Sequence, residues 1–548
     1  MSQGSRAAAV LWIGVIFSLG IMYRSSRHPQ PPQRRLLPPL PAGPKATRTQ
    51  PPPPPPRTTS LEATELLKLL KLIEWPAPQE AAVPFQHSTS PTQSQYRLLH
   101  PNANYSVGGT LLVRLEARDH RRQPKPYGGD LFRAKLHSPA QKAGVVGSVQ
   151  DHRNGTYTLA FPLLWAGDVA VSVRLIHSSE AVGILRHIRD SQPSTVAFLG
   201  YFLEAGKPGP EEVTECNVHP LPDPATGCEY TDSNTGEHWF CVRPQRFPCS
   251  ALVHHSAGRY KPVVAANESA FLSGNVTDQI VPDGHLPPLH VLMGAQQVVA
   301  SPVQRCVPGL EPRDPPGFYY NDLWVSLSCM GRSFSTPALA LACLKGKIIH
   351  MIGDSTLRQW WEYLLGFIPS LKRIDLHVTY QSGPLLAVEM EQGLVLRWRA
   401  HGNPLRTSKT LVADLHYTAN ELDGLGGGPD MVVVFTLWAH FTTFPIELYV
   451  QRLQTVRRAV AKLLSRSPGT TVLIKSANTG YKSVYGSDWL SLQLDRILRE
   501  MFAGMPVVII DAWAMTACHY LPDNIHPGKV IVRNEVDVFL SYVCPQPA

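Results

Sequence analysis

The chain has 548 residues, of which 43% are hydrophobic, 8% aromatic and 17% charged, so it is long enough for two or three domains with sizeable cores. Its formal net charge is +9, but much of this excess lies in the first hundred residues. The remainder has no sustained cluster of Lys and Arg interleaved with aromatic residues, which argues against nucleic acid as a partner.

An uncharged apolar run occupies residues 7–23, with Arg6 before it and Arg24 and Arg27 after it. Such a run at the N-terminus indicates a signal peptide or a short signal anchor, to which we assign residues 1–27. No small-x-small cleavage motif follows the run, which favours the anchor. Residues 28–84 form a Pro-rich stem with a short helix over 61–75. Only the N-terminal segment is expected to touch a membrane.

Two features place the rest of the chain in the lumen of the secretory pathway. Sequons for N-glycosylation begin at Asn104, Asn154, Asn267 and Asn275. The nine cysteines include no CxxC pair, so we expect disulfides and not zinc. All nine are disulfide candidates: Cys216, Cys228, Cys241, Cys249, Cys306, Cys329, Cys343, Cys518 and Cys544. Because nine is odd, at least one thiol is free or pairs with another chain.

Apolar residues alternate with a period of two through residues 111–117, 156–161 and 169–176, with glycine-containing turns between these stretches. This pattern predicts a β-sandwich over residues 85–200. The segments YSVGGTLLVRLEARD, GGDLFRAKL, DHRNGTYTLAF and GDVAVSVRLIHSSEAV resemble a filamin-type, immunoglobulin-like repeat of the neurexophilin kind. The resemblance implies a binding or scaffolding module. Residues 201–344 lack a regular period and contain most of the cysteines, so we predict a disulfide-stapled connector there.

From residue 345 onward, strand and helix patterns alternate. Strands are predicted at 348–352, 394–398, 431–437, 470–475 and 507–510, with helices starting at 356, 446 and 488. This alternation predicts a doubly wound α/β domain over residues 345–548. Within it, Gly353-Asp354-Ser355 separates the first strand from the first helix. A serine at that turn, beside a helix N-terminus, is suited to act as a nucleophile, although the same three residues can serve only as a helix cap.

A second signal, Asp523-Asn524-Ile525-His526, follows the last predicted strand. Loops after the carboxyl ends of parallel strands gather at one edge of the sheet, so His526 is expected to meet Ser355. In this arrangement Ser355 attacks an acyl carbonyl and His526 accepts its proton. Asp523, three residues earlier, is expected to orient the imidazole.

A Gly-Asp-Ser after the first strand and a late Asp-x-x-His resemble the SGNH hydrolase superfamily, and GDSTLRQWWEYL with DNIHP is similar to its PC-esterase branch. With the sandwich in front, the chain resembles the neurexophilin and PC-esterase domain family (NXPE family). The resemblance implies that Gly402 supplies one oxyanion donor. The superfamily's Asn donor is replaced by the segment Leu437-Trp438-Ala439-His440, so His440 is the candidate for the second. No HExxH, Cys/His tetrad or calcium loop occurs, so we predict no metal and no bound cofactor.

The resemblance implies an O-acetyltransferase or esterase in the Golgi lumen, type II anchored, or secreted. The acyl donor is then acetyl-CoA and the partner a glycan or glycoprotein acceptor, of sialic acid type. Trp360, Trp438, Tyr481 and Trp489 are candidates for sugar stacking. The alternative is a non-catalytic protein, secreted or at the cell surface, whose sandwich binds a receptor ectodomain. The replacement of the superfamily's Asn donor favours this alternative, and the joint presence of Ser355, Asp523 and His526 favours the enzyme.

Overall fold

A computed structural model describes residues 60–76, 83–101, 104–192, 194–204, 209–284, 286–294, 297–299, 302 and 304–545. The apolar run at 7–23 and the Pro-rich segment 28–59 therefore lie outside the described residues. The helix predicted over 61–75 is present as α1 (Ser60–Leu72). Leu69 and Ile73 from this part of the chain are buried against the C-terminal region. Within the described ranges, none of the helices is long and apolar enough to span a membrane.

Residues 95–177 form antiparallel strands whose alternate side chains share one hydrophobic core. The strands are β1 (Gln95–Leu98), β2 (Thr110–Glu116), β3 (Leu131–Ser138), β4 (Ala143–Asp151), β5 (Thr156–Pro162) and β6 (Gly167–His177), followed by α2 (Ser179–Ser191). In β5, Tyr157, Leu159 and Phe161 are buried and the residues between them are half-buried. The period of two predicted β2, β5 and β6, because a strand with one face on a core buries every second residue.

The segment predicted as an irregular connector also forms strands. They are β7 (Val196–Phe202), β8 (Glu212–Asn217), β9 (Gly227–Thr231), β10 (His238–Val242), β11 (Leu252–Tyr260), β12 (Gln279–Ile280), β13 (Leu289–Val291), β14 (Gly317–Tyr320) and β15 (Leu323–Ser326). The first five join β20 (Thr410–Leu411) in a second sheet, while β12, β13 and β14 extend the first sheet. Sequence patterning missed them because most are short and lack a clear alternation of apolar and polar residues.

Eight cysteines form four disulfides: Cys216–Cys241, Cys228–Cys249, Cys306–Cys329 and Cys343–Cys544. Such a set of disulfides fits a protein of the secretory pathway. Cys518 is a buried free thiol, so its inclusion among the disulfide candidates is wrong. Burial raises the pKa of the Cys518 thiol to about 12, which keeps it protonated and unreactive.

The C-terminal region is a mixed α/β structure built on a seven-stranded sheet. Its strands are β16 (Ile348–Ile352), β17 (Lys372–Ile374), β18 (Leu385–Glu389), β19 (Leu394–Arg399), β21 (Met431–Phe435), β22 (Thr471–Lys475) and β23 (Val508–Ile510). Their spatial order is β17-β18-β19-β16-β21-β22-β23. The last five in this order are parallel, and β17 and β18 form an antiparallel edge.

Helices cover both faces of this sheet. They are α3 (Pro337–Leu344), α4 (Ser355–Phe367), α5 (Thr418–Asp423), α6 (Ile446–Arg466), α7 (Asp488–Met501), α8 (Ala512–Cys518) and α9 (Lys529–Val543). α4 and α9 pack on one face, and α6 and α7 pack on the other. The predicted alternation of strands and helices is confirmed, and it places the loops after β16, β19, β21, β22 and β23 at the carboxyl edge of the parallel strands.

Candidate active site

Ser355 is the first residue of α4, directly after the turn that ends β16. Asp354 caps the helix, because its Oδ1 accepts from the Thr356 backbone N–H at 2.8 Å. Its Oδ2 accepts from the backbone N–H of Ala439 at 3.3 Å, which ties the turn to the loop after β21. Gly353 has no room for a side chain, since a Cβ there would lie 2.6 Å from Thr436. The serine is therefore held in a tightly packed strand-to-helix turn.

His526 lies against this serine although 171 residues separate them in the sequence. The Ser355 Oγ is 2.8 Å from the His526 Nε2, which is hydrogen-bonding distance. The His526 imidazole reaches the surface, but the surrounding protein removes part of its hydration and lowers its pKa. The carboxylate of Asp354 opposes this lowering, and Arg358 adds to it. The two side chains are therefore placed at the distance that proton transfer from a serine hydroxyl to an imidazole requires.

The loop carrying His526 is fixed by hydrogen bonds on both sides of the imidazole. The backbone N–H of His526 donates to Asn524 Oδ1 at 2.9 Å. The Asn478 side-chain amide donates to the carbonyl of Ile525 at 2.8 Å, and Gln359 of α4 donates to the carbonyl of Pro527 at 3.3 Å. These bonds fix the backbone immediately before and after His526.

The Asp523 carboxylate does not pair with the His526 imidazole that it was expected to orient. Its carboxylate forms an ion pair with the guanidinium of Arg133, which lies on β3. Within the part of the chain that the structure describes, no hydrogen bond joins Asp523 to His526. The predicted triad is therefore corrected to a serine–histidine pair. The physical reason is that a nearby cation on another part of the chain attracts the carboxylate more strongly than a neutral imidazole does.

The loop after β21 brings His440 beside His401. The His401 Nε2 and the His440 Nδ1 are 3.2 Å apart. Burial and the positive charge of Arg452 lower the pKa of His401 to about 3. Burial, together with the neighbouring His401, also places the pKa of His440 well below its ordinary value. Both rings are therefore neutral, and a neutral imidazole can donate one N–H to an oxyanion.

Gly402 lies in the loop after β19 and has φ +86°, a conformation that favours glycine. A Cβ there would lie 2.7 Å from the carbonyl oxygen of His416. The buried guanidinium of Arg452 holds this loop, because it donates to the carbonyls of His401 and Asn403. The loop that carries Gly402 is thus rigidly placed at the same edge of the sheet as Ser355.

Sequence analysis missed Asn478 and Lys475, which support the loop that carries His526. Asn478 follows β22, and its side-chain oxygen accepts from the buried ammonium of Lys475 at 2.5 Å. Burial lowers the pKa of Lys475. The available signal was positional, since Lys475 is the last residue of a parallel strand and Asn478 lies in the loop that follows it. Arg133 offered no such signal, because an Arg at a β-strand position is usually read as a solvated surface charge.

Three of the four aromatic residues considered for sugar stacking are not accessible. Trp360, Trp438 and Trp489 are fully buried, so that assignment is corrected to core packing. Tyr481 is half-buried near the guanidinium of Arg406. The four sequon asparagines are all exposed. Among the described side chains, no group of three or more His, Cys, Asp or Glu residues is arranged to hold a metal ion.

The fold defines this chain as a multidomain protein. It has a β-rich N-terminal region, a disulfide-bonded second sheet and an α/β region with a surface serine–histidine pair. Comparison with known families gives two matches. Residues 58–271 match the family description Neurexophilin, and residues 324–544 match the description NXPE family member 4-like, C-terminal domain. The chain belongs to the NXPE family, with the neurexophilin region preceding the family's C-terminal domain.

Proposed function

We propose that the α/β region is an SGNH-like, PC-esterase-type domain that transfers or hydrolyses acyl groups through Ser355, within the secretory pathway. The observation that carries this proposal is the 2.8 Å contact between the Ser355 Oγ and the His526 Nε2. It joins the first residue of α4 to the loop between α8 and α9. Ser355 is also at the N-terminus of α4, where the helix dipole favours developing negative charge.

In the proposed reaction, the Ser355 Oγ forms a bond to the carbonyl carbon of an acyl donor while its proton passes to the His526 Nε2. The bond from carbon to the leaving group then breaks, and His526 returns the proton to that group. A second acceptor, either water or a sugar hydroxyl, then attacks the acyl-Ser355 ester while His526 takes its proton. The bond from the carbonyl carbon to the Ser355 Oγ breaks, and His526 returns the proton to that oxygen. Water as acceptor gives hydrolysis, and a sugar hydroxyl gives transfer.

Stabilisation of the tetrahedral oxyanion is proposed to come from two loops. If His401 donates through Nε2 to the Nδ1 of His440, the remaining N–H of His440 is on Nε2 and is available to the oxyanion. The backbone near Gly402 is the second proposed source. His440 lies close enough to His526 for its pKa to be influenced by it, which supports a position inside the reacting cluster.

The proposed acceptor is a glycan or glycoprotein in the Golgi lumen or outside the cell, with acetyl-CoA as a donor for transfer. The resemblance to PC-esterase relatives supports a sialic-acid-type O-acetyl reaction. The serine–histidine pair is open to the surface, which suits a bulky glycan. The family's neurexophilin region, proposed to contain an immunoglobulin-like sandwich, is then a candidate site for a receptor ectodomain.

The test is covalent labelling of the full lumenal chain with a fluorophosphonate probe. We expect one adduct, located by peptide mass spectrometry on Ser355, and none in Ser355→Ala. The physical reason is that only a serine beside a general base is nucleophilic enough to react with the probe. A folded wild-type protein without an adduct would contradict the enzyme proposal and favour a binding protein.

The pH dependence of labelling provides a further prediction. His526 must be neutral to accept the Ser355 proton, and burial lowers its pKa below the ordinary value of 6.5. Labelling should therefore rise with pH, pass its midpoint below about 6.5 and remain constant between about pH 7 and 8. Measurement of the labelling rate across this range tests the assignment. A midpoint well above 7 would exclude His526 as the base.

A further inference from the structure

The loop that carries His526 is enclosed between the α/β sheet and the β-rich N-terminal region. Lys135 of β3 donates from its ammonium to the carbonyl of His519 at 2.5 Å. Gly144 of β4 approaches the loop so closely that a Cβ would lie 2.0 Å from the Cys518 carbonyl oxygen. The rings of Tyr319 and His519 are 4.7 Å apart, edge to face. The start of the loop is therefore packed directly on β3, β4 and β14.

Arg133 is the centre of the next contact along the same loop. Its side chain is only 12% exposed and pairs with the carboxylates of Asp488 and Asp523. A third carboxylate, that of Asp278, lies 3.7 Å away and also pairs with Arg174 and Lys482. Without Arg133, two largely buried carboxylates would face each other, and their repulsion would separate the loop from its neighbours.

Three residues of one loop connect the Asp523 carboxylate to the imidazole of His526, and close contacts fix the backbone between them. Gly480, beside Asp488, packs so tightly on the loop that a Cβ would lie 2.6 Å from the Asn524 backbone. Asn524 accepts the N–H of His526, and the following carbonyl, that of Ile525, is held by Asn478. We therefore expect a shift at Asp523 to change the distance between the Ser355 Oγ and the His526 Nε2.

We propose that Arg133 is a positioning residue for the active site, and that Asp523 anchors the histidine loop to the β-rich region through it. The catalytic unit is then a serine–histidine pair whose geometry depends on the neurexophilin region. That region completes the site and is not only a separate binding module. This inference rests on the function proposed above for Ser355 and His526.

The test compares Arg133→Met with Arg174→Met in the full lumenal chain. Arg133 and Arg174 are register partners on the adjacent strands β3 and β6, and among the described carboxylates Arg174 forms its ion pair with Asp278. We expect Arg133→Met to lower the rate of fluorophosphonate labelling about 10- to 100-fold, because the imidazole is then no longer held at the distance that reaction requires. Arg174→Met should stay within about twofold of wild type, and Arg133→Lys should recover part of the rate because it retains the charge.

Asp523→Asn distinguishes an anchor from an orienting carboxylate. An orienting Asp raises the pKa of its imidazole, so its loss would move the pH midpoint of labelling downward by about one unit or more. For an anchor, the midpoint should stay at the wild-type value. The pKa of the His526 imidazole is set first by its burial and then by the charged and titratable groups that face it, which are Asp354, Arg358, Glu362, Lys475 and His440. The rate should fall as in Arg133→Met, and the double variant should be no worse than the poorer single one.

Hydrogen–deuterium exchange over residues 519–527 gives a readout that does not depend on activity. We expect faster exchange in Arg133→Met and Asp523→Asn, and wild-type exchange in Arg174→Met, with unchanged exchange in β16 and β22. Unchanged exchange in Arg133→Met would overturn the positioning role, as would a shifted pH midpoint in Asp523→Asn. Absence of labelling in wild type, with the exchange result as expected, would overturn only the proposed function.

Discussion

We expect His526→Ala to lower the rate of acylation at Ser355 by about 10⁴-fold, which is the upper range for loss of a general base. The serine remains in its turn in this variant, because Asp354 and Gly353 hold it independently of the histidine. Without the imidazole, however, none of the residues that the structure describes lies at hydrogen-bonding distance to take the proton from the Ser355 Oγ. Labelling rates with a fluorophosphonate probe, measured at pH 7.5, give the ratio directly.

His290→Ala is the matched control for this variant. His290 is exposed on β13 and its Nδ1 is 2.7 Å from the Asp168 carboxylate, so it is also a surface histidine with a polar partner. It lies outside the candidate site, and its loss should leave the labelling rate within about twofold of wild type. Equal rates for His526→Ala and wild type would show that the contact with Ser355 has no catalytic role.

The second large effect is expected from Glu237→Gln, which leaves the guanidinium of Arg452 buried without a counter-charge. Arg452 and Glu237 have side chains 1% and 3% exposed and form a bidentate pair at 2.5–2.6 Å. Breaking a buried pair on one side costs roughly 3–5 kcal/mol of the free energy of unfolding. We therefore expect the midpoint of thermal unfolding to fall by on the order of 10 °C, measured by intrinsic fluorescence.

Glu215→Gln is the control for this effect. Glu215 is on β8 of the same sheet and its carboxylate lies 3.7 Å from Lys261, but both side chains are more than one-third exposed. The free energy of unfolding should change by less than about 1 kcal/mol, because water already screens this pair. If Glu237→Gln were as mild as the control, the buried pair would not stabilise the junction between the second sheet and the loop of His401 and Asn403.

The alternation of apolar and polar residues in β2, β5 and β6 and the buried runs of β16 and β21 predicted most of the regular structure, because local periodicity records which face is covered. The same approach failed for β8 to β15. These strands are short, several meet distant partners such as β4 and β6, and disulfides contribute to their stability. Their pairing is therefore specified by contacts that no local window of sequence contains.

Some residues of the candidate site could likewise be predicted from the sequence, and one could not. Ser355 and His526 could be predicted from the order of motifs, because the carboxyl ends of parallel strands meet at one edge of a sheet. Their contact at 2.8 Å agrees with that argument. Asp523 could not be assigned from the sequence, because its spacing to His526 is equally compatible with an orienting carboxylate and with a partner elsewhere.

By itself, the sequence determined the division into a β-rich and an α/β region and that at least one of the nine thiols is free or pairs with another chain. It also predicted that Ser355 meets His526. Only the tertiary structure decided that the free thiol is Cys518 and that the Asp523 carboxylate pairs with Arg133. The reason is electrostatic and steric. A buried carboxylate pairs with the cation that the packing of β3 brings to it, and that packing joins residues almost 400 positions apart.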